Sequence, residues 1–404
     1  MDATVSEPRS GLLTINTGSS SIKFALYAVP DLTPLLSGLI DGIGGHHAGF
    51  RVKSPTPSLN QHLTWGDADA PADHDAALAF LLDWFREQMA GLEIVAVGHR
   101  VVHGGTDFSA PIVIDDAAIE QLESLHALAP LHEPHNLAGI RAARHAFGSV
   151  PQIACFDTAF HRDRLFIEDA YALPRWLYDE GVRRYGFHGL SYEYIAARLA
   201  ELYPDRADDR VVIAHLGNGA SLCALHRDRS VASTMGFSPL DGLAMGTRCG
   251  QIDPGVLLYL MQYKGMSAQQ ISDLLYKESG LKGLSGGLSN DMRTLEASDD
   301  PTAAEAIDYF VHRILCEIGS LVAAMRGIDM LVFTGGIGEN SVTIRARVME
   351  GLSWLGVRLD PDRNRAGEAV LSTDDSMVLC LRLCTNEEIV IAGHALALAS
   401  PLTA

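Results

Sequence analysis

Apolar residues in this chain fall into two kinds of stretch: short runs closed by Gly, Ser, Asn or Pro, and longer segments with an apolar residue every three or four positions. The first kind predicts strands and the second predicts helices facing a core. Leu12–Ile15 and Ile22–Tyr27 read as paired strands joined by a Gly/Ser-rich turn from Thr17 to Ser21. From Asp75 the spacing turns helical, with Leu78, Leu81, Leu82, Phe85 and Met89 on one face and Gly91 at the end. Glu93 to His103 is β-rich and breaks at Gly104-Gly105; alternation puts Arg100 and Val102 on one face, and His99, Val101 and His103 on the other. A helix follows from about Asp116 to Leu128, then a short buried-type strand from Gln152 to Phe156. Arg210 to Leu225 repeats the opening plan of strand, Gly-Asn-Gly turn, strand, which suggests an internal duplication. Helices with capping boxes are predicted at Ser267–Gln270 and Thr302–Glu305. Asp329 to Asn340 reads as a buried strand and a glycine turn before a helix from Ser341 to Met349. The last segment, TNEEIVIAGHALALA, places Glu387 and Glu388 before a short apolar strand and a closing helix.

Length and charge narrow the picture. A chain of 404 residues carries about two domains. A formal charge of −19, from 31 basic and 50 acidic residues, argues against a nucleic-acid or anionic-membrane surface, so an anion site must be a local exception. The opening residues lack the apolar core of a secretory signal, and the longest apolar candidate, Ile318 to Phe333, is cut by Arg326 and Asp329. A soluble, cytoplasmic protein is expected. Cys155, Cys223, Cys249, Cys316, Cys380 and Cys384 lack CxxC spacing and read as reduced thiols, most of them core filler.

The candidate chemistry centres on anions. The Thr17–Ser21 turn offers hydroxyls and approachable amides, with Asn16, Ser19, Ser21 and Lys23 around it, although a plain solvated hairpin would carry the same residues. It is not a Walker A loop, because Lys23 enters a strand. Arg100 beside Val102, before a double glycine, suits a small molecule with one anionic and one apolar end. His126, His132 and His135 invite a metal reading, but HEPH is not HExxH and Pro134 would break the helix such a site needs; one of these histidines lining a pocket is the better reading. His46 and His47 sit in a Gly-rich turn. Asp157, at the end of a strand, fits Mg²⁺, a water or a helix cap. His188 lies between Gly186 and Gly189 before a helix that Ser191 could cap, and Arg248 stands in a loop rich in Gly and Pro. Asp291 and Arg293 either touch a nucleotide or pair with each other. The GGIGEN turn offers backbone amides to a nucleotide.

INTGSSSIK, GHRVVHGG, APLHEPHN, FDTAFH, RYGFHGLSY, AHLGNGAS, GLAMGTRCGQIDP, FTGGIGEN and TNEE, in this order and over essentially the whole chain, resemble the acetate kinase family, with propionate kinases as close relatives. The resemblance implies an α/β fold of two duplicated actin-like (ribonuclease H-like) lobes with a cleft between them. The first lobe would be residues 1–157 completed by 388–404, and the second 158–387. It implies reversible, Mg²⁺-dependent (or Mn²⁺-dependent) direct transfer between ATP and acetate, giving acetyl phosphate and ADP, in a homodimer. By motif position, Asn16 and Glu387 would place the metal, while Arg100, Arg248, His188, Asp157 and His132 would be catalytic. Val102, Leu131, Phe187 and Pro239 would line the acyl pocket. The nucleotide would meet Ser19, Ser21, Lys23, His215, Leu216, Gly217, Asn218, Gly219, Asp291, Met292, Arg293, Gly335, Gly336, Ile337, Gly338 and Asn340. Departures from the family pattern are Glu133, His135, Cys249, Gln251 and Met292. Two other readings stay open: a propionate or other short-chain acyl kinase, and a nucleotide-gated binding protein without an acyl substrate.

Overall fold

The computed structural model describes residues 10–18, 21–44, 48–66, 70–89, 91–127 and 133–400. Ser19, Leu131, His132, His46 and His47 lie outside them. The chain divides into two compact units, Met1–Ala159 with Asn386–Ala404, and Phe160–Thr385.

The first unit is built on a mixed sheet of β1 (Ser10–Thr17), β2 (Ser21–Ala28), β3 (Pro34–Asp41), β4 (Gly49–Lys53), β5 (Gln61–Thr64), β6 (Glu93–Val101), β7 (Ile112–Val113) and β8 (Gln152–Phe156), in the order β5-β4-β3-β2-β1-β6-β8-β7. β1 runs antiparallel to β2 and parallel to β6, and β6 runs parallel to β8. The register opposes Asn16 to Lys23 and Ile15 to His99. Leu13, Ile15, Phe24, Leu26 and Val97 point into one core with Leu78, Leu81 and Phe85 of the helix His74–Gln88. The helix Glu133–Phe147 packs on the same elements. Alternation turns Gly98 to the opposite face, where the helix Glu387–Ala399 lies on β1, β6 and β8. A Cβ on Gly98 would stand 2.5 Å from Ile391 Cγ2, so only glycine admits the helix this close.

The second unit has a five-stranded sheet of β9 (Arg210–Leu216), β10 (Ala220–His226), β11 (Arg229–Ser233), β12 (Met330–Thr334) and β13 (Leu379–Arg382), in the order β11-β10-β9-β12-β13. β9 is antiparallel to β10 and parallel to β12, which is parallel to β13. This pattern is that of β3-β2-β1-β6-β8 in the first unit, so each unit carries a three-stranded antiparallel meander and two parallel crossovers in the same order. The helix Gly189–Leu202 sets Tyr192, Ile195 and Leu199 against Val211, Ile213, Cys223 and Val332, while the helix Pro301–Met325 packs on β9, β10 and β11.

Several expected details differ. The segment after TNEE holds no strand: Glu387 and Glu388 form the first turn of a single helix whose cap, Asn386, accepts the Ile389 N–H. The β-branched run Ile389-Val390-Ile391 imitates a strand, but the acidic first turn and the cap win. GGIGEN is itself helical over Gly335–Asn340, entered through Gly335 at φ +75°, and a second helix runs over Val342–Gly351. The Ser267–Gln270 box forms, whereas Asp300 rather than Thr302 caps the long helix. Ser191 lies inside its helix, and His188 occupies the cap position. Pro134 breaks nothing, because it sits in the first turn of Glu133–Phe147, where no N–H is needed. Only Cys155, Cys223 and Cys380 are core filler; Cys249 is half-buried, and Cys316 and Cys384 are exposed.

Candidate active site

In the first unit the candidate side chains gather where β1, β6 and β8 end. Arg100, the penultimate residue of β6, donates from Nε to Asp157 Oδ1 at 2.9 Å and from Nη2 to Asp157 Oδ2 at 2.6 Å, a two-pronged pair just beyond β8. Its Nη1 points to Asn16 Oδ1 at 3.5 Å, and Glu387 Oε2 stands 3.9 Å from Nε. Burial works against the guanidinium charge, but Asp157 and Glu387 outweigh it and hold the proton firmly. One cation is thus ringed by three oxygen-bearing side chains. Among the described residues no group of three or more His, Cys, Asp or Glu side chains forms a metal cage.

The loop after β6 is held from below: the Gly104 N–H donates to Thr158 Oγ1 at 3.0 Å, and the Gly105 N–H to His103 Nδ1 at 2.8 Å. Val102 is buried. His99 belongs to the core, where it bonds Gln152 at 2.8 Å and burial lowers its pKa to about 4. The turn between β1 and β2 closes with Gly18 N–H on Ser21 O, while His74 Nε2 donates to Gly18 O at 2.7 Å. Lys23 projects from the exposed face and lines a cleft of about 670 Å³ with Arg51, Lys53 and Glu388.

In the second unit His188 sits at φ +58°, a left-handed conformation that costs a non-glycine residue free energy and so marks a constrained position. Its Nδ1 meets Ser221 Oγ at 2.8 Å, and its ring stacks on His215 at 4.3 Å. His215 Nδ1 in turn meets Ser191 Oγ at 2.8 Å. A Cβ on Gly219 would lie 3.2 Å from His188 Nε2 and 3.9 Å from Arg248 Nη1, so an imidazole and a guanidinium converge on the bare turn of the second hairpin. Arg248 is steadied by its Nη1 bond to the Pro239 carbonyl at 3.2 Å. Gly246 leaves room for Asn218, whose Oδ1 would come within 2.0 Å of a Cβ there. Phe187 and Pro239 are buried; Phe187 O accepts from His161 Nε2 at 3.0 Å, and burial drives the His161 pKa down to about 3, keeping that ring neutral.

The adenosine candidates are less gathered. Asp291 caps a short helix and binds the exposed Arg293 through Nε at 3.0 Å, so the mutual pair forms. Met292 is buried. Gly336 faces open space, Ile337 is half-buried, and Asn340 Nδ2 donates to Gly336 O at 2.9 Å. The Gly335 amide is not presented outward; it donates to Glu339 Oε1 at 3.0 Å, which also accepts the Thr385 N–H at 3.2 Å. Glu339 and Arg345 were not legible as site supports. Arg345 is buried and donates to Gly338 O, Glu339 O and both oxygens of Asn364, pinning the glycine helix from behind. Residue type does not single it out, because Arg347 stands two places further along the same helix.

A model of the acetokinase family matches residues 11–393. The chain belongs to the acetokinase family. The acetate kinase of Methylocella silvestris is 53% identical over 406 residues, covering 97% of this chain and 99% of that protein. Among solved structures, the propionate kinase of Francisella tularensis is similar with a TM-score of 0.89 at 36% identity, over 96% of this chain and 100% of its own. The acetate kinase of Porphyromonas gingivalis is similar with a TM-score of 0.85 at 36% identity, over 96% and 99%. This acetokinase is therefore an enzyme, a kinase with the α/β fold of the acetate and propionate kinases.

Proposed function

We propose that this acetokinase transfers the γ-phosphoryl group of ATP directly to the carboxylate of acetate, reversibly, giving acetyl phosphate and ADP. The observation that carries the reading is the convergence of His188 and Arg248 on the glycine turn of β9–β10, a donor and a cation over a turn that leaves space for an anion. Acetate is ionised at neutral pH, so its oxygen attacks phosphorus without a general base while the bond to the β-phosphate oxygen breaks. The remaining work is alignment and neutralisation of charge on the equatorial oxygens. In this reading Arg100 and Arg248 clamp the carboxylate and the phosphoryl group, His188 stabilises the transition state, and Asp157 fixes the Arg100 fork. His132 would act at the same place.

Asn16 and Glu387, both within reach of Arg100, form a sparse oxygen donor set of the kind Mg²⁺ takes when phosphates and water fill its other positions. When bound, that ion (or Mn²⁺) would neutralise phosphate charge. The hairpin residues Ser19, Ser21 and Lys23, the run His215 to Gly219, and Gly335 to Gly338 with Asn340, Asp291, Met292 and Arg293 would hold ATP. Val102, Leu131, Phe187 and Pro239 would wall the methyl group, with valine favouring acetate and leaving propionate a slower substrate.

The helix Pro254–Gln262 supports a homodimer, because it has no buried residue while Leu258, Tyr259 and Met261 are exposed and Tyr263, just after it, is 80% exposed. A cytoplasmic location fits a chain in which, among the described residues, no helix is long and apolar enough to cross a membrane.

The test is acyl phosphate trapped with hydroxylamine from Mg-ATP with acetate, propionate or no acid, for wild type and Arg248→Ala. Acetate-dependent product that the variant loses supports the reading. ATP turnover indifferent to added acid, or net retention at a chiral γ-phosphate, would overturn it.

A further inference from the structure

Asn136 lies on the helix Glu133–Phe147, is almost fully buried, and spends both ends of its amide on the backbone of the site. Nδ2 donates to Thr17 O at 3.0 Å, at the end of β1 where the first hairpin turns. Oδ1 accepts the Val102 N–H at 3.1 Å, one residue past the end of β6. The two backbone groups fix which way the amide points, since a carbonyl can only accept and an N–H can only donate. Three residues along the helix, Gly139 lies so close that a Cβ there would be 2.5 Å from Thr17 Oγ1. The helix therefore rests on the hairpin at two successive turns, and Asn136 is its one polar link to both strand ends among the described residues.

We infer that Asn136 is a positioning residue that locks the phosphate hairpin to the acyl pocket, so that ATP and the carboxylic acid are held in register by one side chain that touches neither. Thr17 adjoins the turn that would hold phosphate, and Val102 would wall the acyl group. If either strand end slides, the other loses its partner. Alignment for in-line transfer tolerates little slippage, so the link should show in turnover as well as in binding. The inference rests on the proposed acyl-kinase site.

Asn136→Leu removes both bonds while keeping the branching at Cγ, and Asn136→Asp replaces the donor by a group that donates only when protonated. With Asn136→Leu, kcat should fall at least tenfold and the KM values for ATP and acetate should both rise, while Arg141→Ala, an exposed change on the same helix, leaves all three alone. Asn136→Asp should recover toward wild type as pH falls from 8 to 5.5, because its carboxylic acid then donates to Thr17 O as the amide did. Circular dichroism and thermal unfolding of each variant confirm that it is folded at the assay temperature. A folded Asn136→Leu that alters only one KM, or an Asn136→Asp profile parallel to wild type, would overturn the link. Wild type without acetate-dependent turnover would instead overturn the site on which the link rests.

Discussion

Replacing Glu133 by Gln probes the first turn of the helix Glu133–Phe147 without any assumption about catalysis. The side chain is fully buried, neither carboxyl oxygen has a hydrogen-bond partner among the described residues, and burial pushes its pKa from 4.5 up to about 8. Folded protein therefore holds a proton that unfolded chain releases, and between those two pH values the folded state binds more protons. Its stability falls as pH rises across that window and levels off above it. At about 1.4 kcal/mol per unit of pH, the cost at pH 7 is roughly 3 kcal/mol. Glu133→Gln has nothing to ionise there. It should come within about 1 kcal/mol of wild type near pH 5, exceed it by about 3 kcal/mol at pH 7, and exceed it further at pH 8. Urea unfolding followed by circular dichroism at the three pH values reads this as a midpoint difference that opens with pH. A constant difference, or a variant less stable than wild type at pH 8, would mean that the carboxylate gains a partner once charged, and the argument from burial would fail.

Three further outcomes are expected. Arg100→Lys, which cannot reproduce the two-pronged bond to Asp157, should lower acetate-dependent kcat/KM by about a hundredfold or more, read from ADP release; a loss under about tenfold would remove Arg100 from the clamp. Val102→Ala should raise the efficiency of propionate relative to acetate by about tenfold, within the roughly 1 to 3 kcal/mol a methylene is worth, and an unchanged ratio would take Val102 out of the acyl pocket. Arg345→Met strips hydrogen bonds from Gly338 O, Glu339 O and Asn364, so thermal unfolding should show a loss of roughly 3 kcal/mol together with a higher KM for ATP. A stable variant with unchanged KM would show that the glycine helix holds itself.

What the sequence made legible was local. The two hairpins, the β6 run with Arg100 and Val102, and the strand before GGIGEN all announce themselves through apolar runs ended by glycine, and each is found where that pattern put it. Arg100 and Asp157 were both picked out, but not their bond, because 57 residues separate them and only the parallel pairing of β6 with β8 brings them together. The supports were the hidden part. Asn136, Glu339 and Arg345 act through backbone carbonyls and amides, and a partner of that kind has no residue type by which a sequence can reveal it. Helix starts misled for a related reason: Asp300 and Asn386 cap through side chains whose competitors, Thr302 and the β-branched run after Glu388, looked as good on paper.

The helix Glu387–Ala399 covers the Gly98 face of the first unit, yet the whole second unit stands between it and β6 in the sequence. As the chain emerges from the ribosome, β1, β6 and β8 must wait with one face bare until the far end of the polypeptide arrives. The second unit, continuous from Phe160 to Thr385, has no such wait. The half made first can therefore complete its packing only after the half made later has been synthesised.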